Sequence, residues 1–166
     1  MSVETIEELF IDELKDLYSA EKQITKSLPK LAKAATSPEL KTAFETHLKE
    51  TLGQIERLDR VFKILGKSPR GKVCNGMKGV LEEGAEVLEE TEKGSAVRDA
   101  ALISAAQRVE HYEMAGYGCV REYATLLGQN EIAKLLDETL AEEKAADSKL
   151  GKVAKQINPA AVRTTA

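Results

Sequence analysis

Apolar side chains return every three to four residues along almost the whole chain, the spacing of one helix face after another. In the first stretch Leu14, Leu17, Ile24, Leu28 and Leu31 keep this spacing, with Glu21 on the same stripe. A helix is predicted over residues 3–35, with a distortion near Pro29, because proline lacks an N–H and crowds the preceding turn. Thr36 to Glu39 reads as a stop followed by a start: Ser37 suits an N-cap and Pro38 the first helical position. The second helix, 38–66, carries Leu40, Phe44, His47, Thr51, Gln54, Leu58, Val61 and Leu65 on its inward stripe and ends at Gly66, a favoured C-terminal cap. A turn-rich run from Lys67 to Gly71 leads to a weaker amphipathic segment over 77–92, and Gly94-Ser95 punctuates again. The third long helix, 95–128, shows Leu102, Ala106, Val109, Glu113, Tyr117 and Val120. The fourth, 129–157, shows Leu136, Leu140, Glu143, Asp147, Leu150 and Val153. The tail from Pro159 to Ala166 is expected to fray.

The connections are unequal. Very short turns join the first helix to the second and the third to the fourth, so each pair should form an antiparallel hairpin. Between the pairs lie roughly thirty residues, enough at about 1.5 Å per helical residue to travel the length of a bundle. Two hairpins joined by one long crossover predict an all-α, antiparallel four-helix bundle of ferritin-like topology, as a single domain over residues 1–166.

Composition adds limits. At 166 residues the chain can bury a real core, and its bias toward Ala, Leu, Glu and Lys supports helix throughout. A net charge of −4, with lysines scattered among glutamates, argues against a nucleic-acid partner. No apolar stretch is long enough for a membrane span and no secretory leader is visible. Cys74 and Cys119 form no metal-binding spacing and no disulfide framework. A cytoplasmic protein is the simplest reading.

The candidate chemistry lies where the stripes should be apolar. Glu21 takes a leucine's place in the first helix. His47 and Gln54, flanked by Glu50, interrupt the second; Glu113, with Glu110 a turn before it, the third; Glu143 and Asp147 the fourth. Burying an ionised carboxylate alone is very costly, so acids on facing stripes call for a shared cation or shared protons. Heights agree as well: Glu21 and Glu50 lie roughly fifteen residues from the first hairpin turn, and Glu113 and Glu143 about as far from the second, so at helical rise all four can meet mid-bundle. Oxygen donors from four helices suit one or two ions of iron or manganese, and tolerate calcium or magnesium. The bland alternative is that these acids sit at stripe edges and reach solvent.

The stretches DELKDLYSAEKQI (12–24), HLKETLGQIERLDRVFKILG (47–66), AAQRVEHYEMAGYG (105–118) and TLAEEKAADSKL (139–150) resemble the YciF/YciE group of bacterial stress-associated proteins, in the ferritin-like superfamily with rubrerythrins, bacterioferritins and manganese catalases. The resemblance implies a dinuclear iron or manganese site, in a homodimer, with catalase-like handling of peroxide. Carried over residue by residue, it puts ligands at Glu21, Glu50, Glu113 and Glu143, and Glu110 is similar to the extra glutamate on rubrerythrin's third helix. Ferritin-like sites usually read Glu-x-x-His on two helices. This chain departs from that pattern, with Gly53 and Ala146 at those places and Gln54 and Asp147 one position on, where they would replace the imidazoles. His47 is either a partner behind the ligands or an ordinary core histidine; His111 is structural or exposed. Tyr18 and Tyr117 each lie within a turn of a proposed ligand. Gly53, Gly116 and Gly118 weaken helix and are read as points of close approach or access.

The expected function is a redox di-metal protein acting on peroxide or dioxygen during stress. In it Glu50 and Glu143 lie close to both ions, Glu21 and Glu113 are terminal ligands, Gln54 and Asp147 complete the half-sites, and Glu110 can shift in. The alternatives are a non-catalytic metal-binding or storage protein, and a helical interaction module.

Overall fold

The computed structural model describes residues 3–162; of the tail expected to fray from Pro159, residues 159–162 are instead helical, and the part beyond Val162 lies outside the described residues. Among those described, the fold is all helical: α1 (Ile6–Ala34), α2 (Pro38–Leu65), α3 (Asn75–Glu90), α4 (Ala96–Leu126), α5 (Asn130–Ile157) and a short α6 (Pro159–Val162). Local chemistry accounts for the boundaries. Thr5 and Glu8 form a capping box at the start of α1. Ser37 caps α2 with Pro38 in its first turn, and Gly66 closes it in the left-handed conformation (φ 63°), which glycine adopts without a Cβ penalty. α1 runs unbroken through Pro29, which is exposed.

Each long helix packs on two others: α1 on α2 and α4, α5 on α4 and α2. Neighbours run antiparallel, as the core shows. At one end Phe10, Leu14 and Leu17 meet Leu58, Val61 and Phe62 of α2, Tyr117, Val120 and Ala124 of α4, and Ile132 and Leu136 of α5. At the other end Ile24 and Leu28 meet Leu40 and Phe44, Leu102 and Ile103, and Leu150 and Val153. α3 lies against α4 and α1, anchored by buried Met77. Close approach of α1 and α4 depends on Gly116, where a Cβ would stand 2.7 Å from Leu17 Cδ2. Gly53 and Gly118 face open space, so they are not points of close helix approach.

Two buried charges at the head of α4 tie the connections down. Asp99 accepts from the backbone N–H groups of Thr36 (2.8 Å) and Ser37 (2.7 Å), fixing the α1–α2 turn. Arg98 donates to the carbonyls of Leu88 (2.7 Å) and Thr91 at the end of α3. No helix among the described residues is long and apolar enough to cross a membrane.

Candidate metal centre

Between the two apolar layers lies a layer of buried polar residues: Glu21 from α1, His47, Thr51 and Gln54 from α2, Glu110 and Glu113 from α4, Thr139 and Glu143 from α5. Each is on its helix's inward side because the apolar stripe above and below it fixes the rotation. One ligand atom from each of His47, Glu110, Glu113 and Glu143 lies within 4.8 Å of all the others. His47 Nε2 stands 3.2 Å from Glu110 Oε1 and 3.8 Å from Glu143 Oε2. Glu21 adjoins them, fully buried, with Tyr117 Oη donating to its Oε1 at 2.5 Å. Among the described residues, His47 is the one potentially cationic side chain recorded within 4 Å of these four carboxylates.

The hydrogen-bond accounting is heavily unbalanced. Nine buried side-chain nitrogen and oxygen atoms among the described residues have no hydrogen-bond partner, and all but Asn158 Oδ1 belong to this layer. They are Glu21 Oε2, His47 Nε2, Gln54 Oε1, Glu110 Oε2 and both carboxylate oxygens of Glu113 and Glu143. Native interiors satisfy nearly all such groups, so this concentration needs a cause. The same crowding shifts the proton affinities of these acids. Burial first, and the charge of Glu143 second, push Glu21 up to about 8, against the pull of the Tyr117 donor. Burial followed by the neighbouring acids raises Glu113 well above the carboxylate range. Burial and then the contact with Glu143 likewise drive Glu110 upward.

The sequence-predicted residues divide. Glu21, Glu110, Glu113 and Glu143 converge, and His47 stands with them. The inward stripe of α2 runs through 44, 47, 51 and 54, which puts His47 on the seam and Glu50 beside it. Glu50 keeps 39% side-chain exposure and reaches His47 Nδ1 at 3.4 Å. Gln54 is held from behind: Arg57 makes a bidentate pair with Glu142 (2.9 and 3.1 Å), and Glu142 accepts from Gln54 Nε2 at 3.0 Å. With its nitrogen so engaged, the amide leaves its buried Oε1 unpartnered. Asp147 lies outside the cluster, 24% exposed, contacting His111 Nε2 at 3.3 Å and Gln107 Nε2 at 3.2 Å. His111 itself is 65% exposed. Tyr18, half-buried, packs edge-on against the buried Phe62 and takes no part.

This donor set, carboxylates with one imidazole and no thiolate, fits hard or borderline divalent metals. Comparison with known proteins places the chain. Residues 5–163 match the family model DUF892, a domain of unknown function. The chain belongs to this family. It is 55% identical to Protein YciF of Escherichia coli K12 over 152 residues, 90% of each chain. The crystal structure of the E. coli stress protein YciF superposes with a TM-score of 0.88 at 52% identity, covering 92% of this chain and 96% of that one. YcfI of Rhodopseudomonas palustris, described as a candidate structural protein, gives 0.87 at 45% identity over 90% and 95% of the two chains. The chain thus shares its all-helical fold with a solved stress protein across nearly its full length.

Proposed function

We propose that this DUF892 protein is a ferritin-like four-helix bundle whose centre holds two iron or manganese ions and handles peroxide or dioxygen during stress. The observation that carries the reading is the set of four buried carboxylates with unpartnered oxygens and no lysine or arginine among them. Two divalent cations would neutralise Glu21, Glu110, Glu113 and Glu143, and would satisfy the orphaned oxygens in the same step. His47, Glu110, Glu113, Glu143 and Glu21 would hold the pair. Glu50 can move in from the His47 side, and Gln54 would offer its carbonyl oxygen. Asp147 would act from outside, by orienting His111 and Gln107 at the flank of the centre.

Bound iron or manganese would supply one-electron redox steps at a site close to oxygen-based substrates. The chain's own part is to hold that site charge-matched between two apolar layers, with Tyr117 Oη holding one oxygen of Glu21 in place. The stress association of the E. coli relative, a cytoplasmic location, a homodimer, and no role in nucleic-acid or membrane binding complete the reading. A non-catalytic metal-holding protein is the second reading, favoured by the description of the Rhodopseudomonas relative.

Metal analysis of the purified protein, followed by a peroxide-decay assay with each metal, tests the proposal. About two metal ions per chain with peroxide loss supports it in full. Stoichiometric metal without turnover leaves only the second reading. Protein that takes up neither iron nor manganese, at pH 7 and after reconstitution, refutes both.

A further inference from the structure

A cavity of about 110 Å³ opens beside the centre. Its lining includes His47 and Glu110, buried members of the cluster, and also Ala145 and Lys149, which are exposed, so it joins the surface to the site. The rest of the wall is mostly apolar, through Ile24, Leu28, Phe44, Ala106, Val109 and Leu150, with the hydroxyl-bearing Ser27 and Thr46 beside them. Protein interiors normally close such space. Here it is kept open on the α4 stripe by Ala106, which stands between Leu102 and Val109 where a larger side chain would fill it. A second space of about 70 Å³ shares Leu31, Leu81 and Val109 with the first and extends it toward α3.

Peroxide is small and polar, and it needs no apolar chamber of this size. An engineered apolar cavity of about 150 Å³ takes up benzene. We infer that this cavity binds a small apolar organic molecule, aromatic or short-chain aliphatic, that carries one hydroxyl directed at the Glu110–His47 end. The apolar walls bury its hydrocarbon part, and the carboxylate-rich end, poor in donors, accepts from its hydroxyl. The inference deepens the metal-centre reading and rests on it for any chemistry at the inner end; the binding itself requires only the cavity.

Titration of phenol and n-hexanol into metal-free, full-length protein, followed by two-dimensional NMR, tests this. The expected result is saturable binding with shifts concentrated at Phe44, Ala106 and Val109. Ala106→Leu, which fills the chamber, should weaken binding at least tenfold. Ala146→Phe, at the half-exposed mouth and safer for folding, should do so without disturbing the cluster's metal content. Absence of saturable binding by both alcohols overturns the inference, and so does uptake of xenon alone, which would make the space a gas route. Equal binding by both variants overturns it too. Protein that holds two metals yet binds neither alcohol refutes this inference and spares the metal reading; protein that binds the alcohols and never takes up metal does the reverse.

Discussion

Glu113→Leu should stabilise the metal-free protein and weaken the metal-loaded one, and that change of sign is the sharpest consequence of the site's geometry. Glu113 is fully buried, neither of its carboxylate oxygens has a hydrogen-bond partner, and its neighbours are three more acids. Each unsatisfied buried oxygen costs about 1–3 kcal/mol, and leucine of similar volume removes both while adding apolar contact. The gain should be about 3 kcal/mol, or roughly 6–12 °C in Tm for a domain of this size. Thermal unfolding followed by circular dichroism in chelator at pH 7 measures it. In the presence of manganese or ferrous iron the wild type should gain stability through binding while the variant gains far less. A variant that melts below wild type in chelator would refute the reasoning, because it would mean that Glu113 is already satisfied without metal.

Other consequences can be checked independently. In the metal-free protein, Glu21 is raised to about 8 from 4.5, so the folded state keeps a proton that the unfolded chain releases; the stability this group contributes is full below about pH 4.5 and is lost as pH rises toward 8, about 3 kcal/mol of it between pH 5 and 7.5, and a flat urea-denaturation profile would count against it. Arg57→Ala releases Glu142 and with it the orientation of Gln54, so metal affinity measured against a chelating dye should fall about tenfold while Tm in chelator moves little. Asp99→Ala removes both acceptors from the α1–α2 turn and should cost about 2–4 kcal/mol in urea denaturation, with Asp99→Asn recovering roughly half.

Much of this architecture is legible in the hydrophobic pattern, because an amphipathic stripe fixes both the span of a helix and its rotation. The stripe also named the polar layer: Glu21, Gln54, Glu113 and Glu143 are each fully buried. His47 holds the same stripe, while Glu50 stands one step off it, since successive helical residues turn about 100°, and reaches the layer only through His47. Asp147 shows the limit in the other direction. It holds a stripe position, but its short side chain is met by Gln107 and His111 of the adjacent helix at the flank. Arg98 and Asp99 were not legible as buried groups. Charged residues in a helix's first turn are ordinarily solvated, and only the tertiary approach of the 36–37 and 88–91 backbone makes them interior.

A buried polar layer can exist simply to specify one packing over another, and that role is open to test in this fold. Layers built for register are satisfied internally, with a donor for each acceptor. This one is not: acceptors far outnumber donors, and the apolar layers on both sides already define register through residues such as Phe10, Tyr117, Phe44 and Leu102. Protons can quieten the carboxylates, as the raised Glu21 and Glu113 show, but a protonated acid still lacks partners for its remaining oxygen. Only a group that is both cationic and able to accept several oxygens at once settles charge and valence together. The Arg57 guanidinium is instead spent on Glu142, outside the cluster, and Glu142 engages the Gln54 nitrogen, which leaves one more oxygen, that of Gln54, without a protein partner. A chain selected for stability alone would have turned that arginine inward.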